Sequence, residues 1–265
     1  MRAAWITDPH LEHLRPDHLD AFCRDVSEVG PDVVLLGGDI AVARNVVAML
    51  STLDDALRRP IYFVLGNHDY YGSSISDVRA KVGAFVSGSR ALRWLPAIGV
   101  ARLTEETALI GHGGWADGRY GDYANHDLML SDYRLIDDFR TLDHADRLRK
   151  LNALGDEAAA RLAETLEEAL RVSRRVVLLT HVPPFMEACW HEGRISTPEF
   201  LPHFSCKAVG DALTSAMRSH PDNELLVLCG HTHSAGEARI LPNLLVRTGD
   251  AVYGQPRVQD VLTVE

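Results

Sequence analysis

Eight residues of this chain could do metal and phosphoryl chemistry, and each follows an apolar run. Asp8 and His10 come after "AAWIT", Asp39 after "VVLLGG", Asn67 and His68 after "IYFVLG", His181 after "VVLLT", and His231 and His233 after "LLVLCG". A set of imidazole, carboxylate and amide oxygen without thiolate suits Mn, Fe or Zn, and does not suit a structural Cys-rich zinc site. Setting His68 apart, the remaining residues exceed what one tetrahedral ion needs. They fit two divalent or trivalent transition-metal ions, with a central carboxylate such as Asp39 bridging a pair about 3.5–4 Å apart. Two divalent ions against the carboxylates of Asp8 and Asp39 leave the centre net positive, so a phosphate ester is its natural guest. A bridging water that loses its proton to two cations becomes a hydroxide nucleophile, while the ions clamp the phosphoryl oxygens. The leaving alkoxide still needs a proton, and His68, not required as a ligand, is the candidate to supply it.

Residues so far apart in sequence must be gathered by a framework. Short β-branched and apolar runs alternate with helical spacing, as in Leu19, Phe22 and Val26, or Val46, Leu50, Leu53 and Leu57, which predicts an α/β fold. Loops at the carboxyl ends of strands converge in such folds. In extended backbone residues i and i+2 project to one side, so Asp8 with His10, and His231 with His233, are each expected to face a single centre. Apolarity is continuous along these strands, which says both faces are covered. The last portion, "EARI", "NLLVRT" and "VQDVLTV", has turns and no helical spacer, predicting antiparallel pairing and either a mixed sheet or two packed sheets. Residues 112–145 form a long aromatic and acidic interruption. Its Trp115, Arg119, Tyr120, Tyr123 and His126 are expected to pack the loop down rather than to line a substrate pocket. The G-x-G-x-x-A match in "IGHGGWA" is followed by "DGRYGDY" where a dinucleotide-binding helix should start, and is rejected.

At 265 residues with no shift in composition, the chain reads as a single domain, 1–265. Its formal charge of -10, from 27 basic and 37 acidic side chains, argues against a grip on long nucleic acid or anionic membrane. No signal-peptide pattern and no apolar run of transmembrane length are seen, so a cytoplasmic protein is expected. The four cysteines lack a C-x-x-C pair and predict no disulfide framework. Cys189, His191, His203 and Cys206 match no common zinc module, and are expected to be loop residues with incidental thiols.

In order, "DPH", "GGDI", "GNHD", "TH" at 180–181 and "GHTH" resemble the five motifs D-x-H, G-D, G-N-H-[D/E], H and G-H-x-H of the calcineurin-like metallophosphoesterases. The resemblance spans residues 8 to 233 and no motif position is missing. It implies a four-layer α/β/β/α sandwich with mixed sheets, a dinuclear metal site at the strand C-terminal ends, and hydrolysis of phosphate mono- or diesters. One metal would take Asp8, His10 and His233, the other Asn67, His181 and His231, with Asp39 bridging and His68 catalytic. Asp69 is expected either to cap the following turn or to pair with a neighbouring loop. The arginine that protein-phosphatase branches place after their G-D motif has no clear counterpart in "GGDIAVARN", since Arg44 stands elsewhere, which argues against a protein phosphatase; a small-molecule substrate is expected. The alternatives are a nuclease or cyclic-nucleotide phosphodiesterase, and a non-catalytic protein-binding scaffold; intact ligands and His68 speak against the scaffold.

Overall fold

The computed structural model describes residues 1–265. The first part of the chain runs β1 (Arg2–Ile6), α1 (Pro16–Glu28), β2 (Val33–Gly37), α2 (Val46–Leu57), β3 (Ile61–Val64), α3 (Ile75–Val86), β4 (Leu92–Trp94), α4 (Leu95–Ile98), β5 (Ala101–Arg102) and β6 (Thr107–His112). After the long interruption, which contains only the short α5 (Asp132–Leu135), come α6 (His144–Val172), β7 (Arg175–Thr180), β8 (Trp190–His191), β9 (Arg194–Ile195) and α7 (Leu201–Phe204). The chain ends with α8 (Lys207–Ser219), β10 (Glu224–Cys229), β11 (Gly236–Leu241), β12 (Leu244–Thr248) and β13 (Asp260–Thr263). No helix is long and apolar enough to cross a membrane.

The continuous apolar strands are explained by what each of their faces meets. Side chains alternate sides along a strand. In β1 and β2, Ile6, Val34 and Leu36 pack with Phe22, Val26, Leu50 and Leu53 of α1 and α2. In β7 and β10, Val176, Leu178, Leu225 and Val227 pack with Leu162, Leu166 and Leu213 of α6 and α8. The intervening residues Trp5, Leu35, Val64, Leu109, Val177, Leu179 and Leu228 form a third cluster between the two sheets. Three cores separate four layers, α/β/β/α, and no central strand has a solvent face to make polar.

One sheet has the order β13-β1-β2-β3-β4 and the other β11-β12-β10-β7-β6-β5, with β8 and β9 pairing separately. In the first, β1, β2, β3 and β4 are mutually parallel. In the second, β6, β7, β10 and β12 are parallel. The carboxyl ends of β1, β2 and β3 therefore emerge together, as do those of β7 and β10. Antiparallel strands occur only at the edges, so the antiparallel pairing expected of the C-terminal portion holds for β11 and β13 but not for the seat of β12. There β11 is antiparallel to β12, but β12 returns parallel beside β10, and β13 leaves that sheet to pair with β1 of the other, Arg2 opposite Thr263. Of the residues expected to pack the long interruption down, Trp115 and Tyr123 are buried in the first core, while Arg119, Tyr120 and His126 stay half-buried.

Candidate metal centre

The eight residues converge at the mouth formed by these strand ends, but not through extended backbone. Asp8, His10, Asp39, His231 and His233 all have positive φ, between 43° and 71°; Arg58 and Glu192 are the remaining non-glycine residues with φ in this region. β1, β2 and β10 end in left-handed kinks that aim their side chains, whereas Asn67 after β3 is right-handed helical, with φ -68°, and His181 after β7 is not among the positive-φ residues. The i, i+2 expectation is thus corrected in its geometry and, for one pair, in its outcome. Asp8 and His10 turn to the same centre, whereas His231 and His233 diverge to adjacent ones. Such backbone costs on the order of 1–2 kcal/mol per residue relative to glycine, and strain of this kind gathers where function requires it. Glycines give the ligands room, because a Cβ on Gly66 would overlap the Asp39 carboxylate and one on Gly230 the Asp8 carboxylate.

On one side, Asp8, His10, Asp39 and His233 each bring a ligand atom to within 4.8 Å of the others. His10 Nε2 is 3.2 Å from His233 Nε2 and 3.8 Å from Asp39 Oδ2, and His233 Nε2 is 3.4 Å from Asp8 Oδ1. On the other side, Asn67 Oδ1 lies 2.9 Å from both His181 Nε2 and His231 Nδ1, while His181 Nε2 is 3.3 Å from Asp39 Oδ1. Asp39 therefore presents one oxygen to each group.

The tautomers test whether this set fits a metal. His181 Nδ1 faces the Gly37 carbonyl at 3.0 Å, and His231 Nε2 faces the His203 carbonyl at 3.2 Å. A carbonyl only accepts, so those nitrogens carry the protons and, in neutral imidazole, His181 Nε2 and His231 Nδ1 are bare. Asn67 Nδ2 donates to Asp132 at 2.8 Å, which turns its carbonyl oxygen toward the same point. Three lone-pair acceptors thus meet with no proton among them. A cation suits that arrangement, and the carbonyls behind the rings are the outer partners that metal-binding histidines use.

Charge is arranged in keeping with this. Burial pushes the imidazoles of His10 down to about 2, His68 to about 3 and His231 to about 4, so all are neutral with lone pairs available at pH 7. Burial opposes ionisation of Asp8, but His181, His233 and His10 around it outweigh this and hold its carboxyl below the usual range. Burial and then the neighbouring carboxylates of Asp8 and Asp69 push Asp39 up. The His68 side chain is a fifth exposed, with Nε2 3.9 Å from Asp39 Oδ2. Its ring is stacked on Tyr71 at 4.2 Å and 29°, and its main-chain N–H donates to Asp39 Oδ1 at 2.8 Å.

Three supporting residues stand outside the eight. Asp69, fully buried, accepts from the backbone N–H groups of Ile40 and Ala41, each at 2.9 Å, and of Gly66 at 2.8 Å. It ties the loop after β2 to the loop after β3, the second of the two roles expected of it. Asp132, from α5, accepts from Asn67 and from the Tyr71 hydroxyl at 2.5 Å. Nothing in its spacing marks it among the many acidic residues of the interruption. Glu12 brings a carboxylate oxygen near His10 and His68; its position two residues after His10 was the available signal.

Cys189 and Cys206 are buried free thiols. Cys189 Sγ contacts Ser196 and Phe204, Cys206 packs in the second core, and His203 bonds Tyr133, so these residues form no donor cluster of their own. A groove of about 1160 Å³ lies at the opposite, N-terminal ends of β7 and β10 and is lined by none of the eight residues.

Layered sheets with an Asp, His and Asn cluster at converging strand ends define a metallophosphoesterase. The family model described as calcineurin-like phosphoesterase matches residues 1–235, and the chain belongs to that family. A dimetal phosphatase from Danio rerio has a similar structure, with 15% identity, 97% of this chain and 89% of that one covered, and a TM-score of 0.60. The phosphopantetheinyl hydrolase of Mycobacterium tuberculosis is 14% identical, with 95% and 89% covered and a TM-score of 0.61. At these identities the likeness concerns the fold. A Bos taurus transmembrane protein with metallophosphoesterase domain is 41% identical over 64 residues, 22% of this chain, and the match spans 14% of its length.

Proposed function

We propose that the chain hydrolyses phosphate mono- or diesters of small molecules, with two transition-metal ions drawn from Mn, Fe or Zn. Asp8, His10 and His233 hold one, Asn67, His181 and His231 the other, and Asp39 serves both. The observation that carries this reading is the meeting of His181 Nε2, His231 Nδ1 and Asn67 Oδ1 with their protons turned away. When bound, the ions supply positive charge for the phosphoryl oxygens and an activated water. The protein's own part is orientation and proton supply: carbonyls of Gly37 and His203 fix the imidazoles, Asp69 fixes two loops, and His68 at the mouth protonates the leaving oxygen. Two features favour one unit, 1–265: β13 edges the first sheet, and β11 and β12 complete the second. Unpaired cysteines favour a reducing, cytoplasmic setting.

A panel of chromogenic phosphate mono- and diesters with added Mn²⁺, Fe²⁺ or Zn²⁺ tests the reading. Metal-dependent turnover of at least one class is expected. Inactivity across all metals and esters would favour a binding scaffold instead.

Asp132 offers a second test. If it holds the Asn67 carbonyl toward the metal, Asp132→Leu should weaken binding of one of two Mn²⁺ ions by roughly 10–100-fold, the usual cost of losing an outer partner. Asp132→Asn keeps an acceptor for Asn67 and should lose less. Calorimetric titration with Mn²⁺ reads both, and wild-type affinity in Asp132→Leu would refute the positioning role.

A further inference from the structure

The mouth of the centre ends in an exposed aromatic ring. Tyr253 lies between β12 and β13, beyond the residues 1–235 that match the family model. Its ring centroid stands 4.5 Å from that of His10, 5.2 Å from His233 and 6.3 Å from His68. The residue is 49% exposed, and its neighbour Val252, at 57%, is the most exposed of the large apolar side chains. This is not a loose tail. Asp250 N–H donates to Gln259 Oε1 at 3.1 Å, Gln259 Nε2 donates back to the Asp250 carbonyl at 2.8 Å, and Arg257 pairs with the Asp250 carboxylate. The segment is held on both sides of a ring that packs into none of the three cores.

The direction of the reaction gives that ring a partner. In an in-line displacement the leaving group departs opposite the attacking water, and the group that protonates it lies beside it. With His68 in that role, the organic part of the substrate sits on the His68 side of the mouth. Two tyrosines flank that side. Tyr71 has a face covered by His68 and its hydroxyl engaged by Asp132, whereas Tyr253 retains open aromatic surface.

We propose that Tyr253, with Val252, forms a subsite for a planar aromatic group in the alcohol part of the ester, so that the enzyme prefers aryl-bearing phosphoesters to those of small polar alcohols. The proposal rests on the phosphoesterase reading above, and the two are separable. Phenylphosphonate and methylphosphonate present the same anion with and without a ring, and neither can be hydrolysed to an alcohol. Calorimetry on the Mn²⁺-loaded protein should show phenylphosphonate binding roughly three- to tenfold more tightly, the worth of one aromatic pair. Tyr253→Ala should abolish the difference while the protein keeps its Mn²⁺ content, and Tyr253→Phe should retain it. A preference that survives in Tyr253→Ala, no preference in the wild type, or no binding of either phosphonate would overturn the subsite. Should the ring preference depend on Tyr253 while phenyl phosphate is not hydrolysed, the subsite stands and the phosphoesterase reading fails. Hydrolysis of phenyl phosphate with the preference intact in Tyr253→Ala is the reverse result.

Discussion

His68→Ala is expected to lower kcat on an alkyl phosphoester by about 10²–10⁴, the usual worth of a positioned general acid, and to leave metal content near wild type. The expectation follows from where the side chain stands. Its Nε2 approaches Asp39 no closer than 3.9 Å, whereas its main-chain N–H, which the substitution preserves, makes the 2.8 Å bond to that carboxylate. An alkoxide is a poor leaving group without a proton, but p-nitrophenolate is stable as the anion and hardly needs one. The loss should therefore shrink on p-nitrophenyl phosphate. His231→Ala, which removes one of the three converging acceptors, should lose metal and slow both esters alike. Kinetics on the two esters, with metal analysis of each variant, separate the roles. Equal losses on both esters for His68→Ala, or lost metal, would assign His68 to metal or phosphate binding.

Asp39→Asn should damage both metal positions together. Each carboxylate oxygen faces a different group, Oδ2 toward His10 and Oδ1 toward His181. An amide in its place has a carbonyl for one side only. If that carbonyl keeps the bond to the His68 N–H, the NH₂ points at the His10 side, where it repels a cation. Loss of a shared ligand should exceed the roughly 10–100-fold cost of losing an outer partner, and it should fall on both ions. His10→Ala should instead empty mainly one position. Mn²⁺ stoichiometry and affinity for the two variants distinguish these outcomes, and equal mild losses would argue against a bridge.

Much of the centre was legible because its residues sit where strands stop. Apolar runs ending in Asp8, Asp39, Asn67, His181 and His231 mark both the sheet and the side of it where loops meet. Convergence was thus readable without knowing the strand order. The means of convergence was not, since extended spacing gives no hint of the left-handed kinks that send His231 and His233 to different places. Nor was the exchange of β13 into the first sheet, because an alternating strand carries no mark of its partner. Asp132 was hidden for a related reason: its position depends on how an aperiodic segment folds back, and period is the signal that segment lacks.

The left-handed kinks have a consequence for how such a protein can change. Five of the residues at the mouth occupy backbone that glycine would adopt at no cost. Glycine there would relieve strain on a fold whose net stability is on the order of 10 kcal/mol, and would remove an Asp or His in doing so. Selection for robustness and selection for chemistry therefore pull in opposite directions at the same positions. A descendant released from its chemistry should drift fastest at these kinks, while the three cores, which gain nothing from the loss, stay as they are.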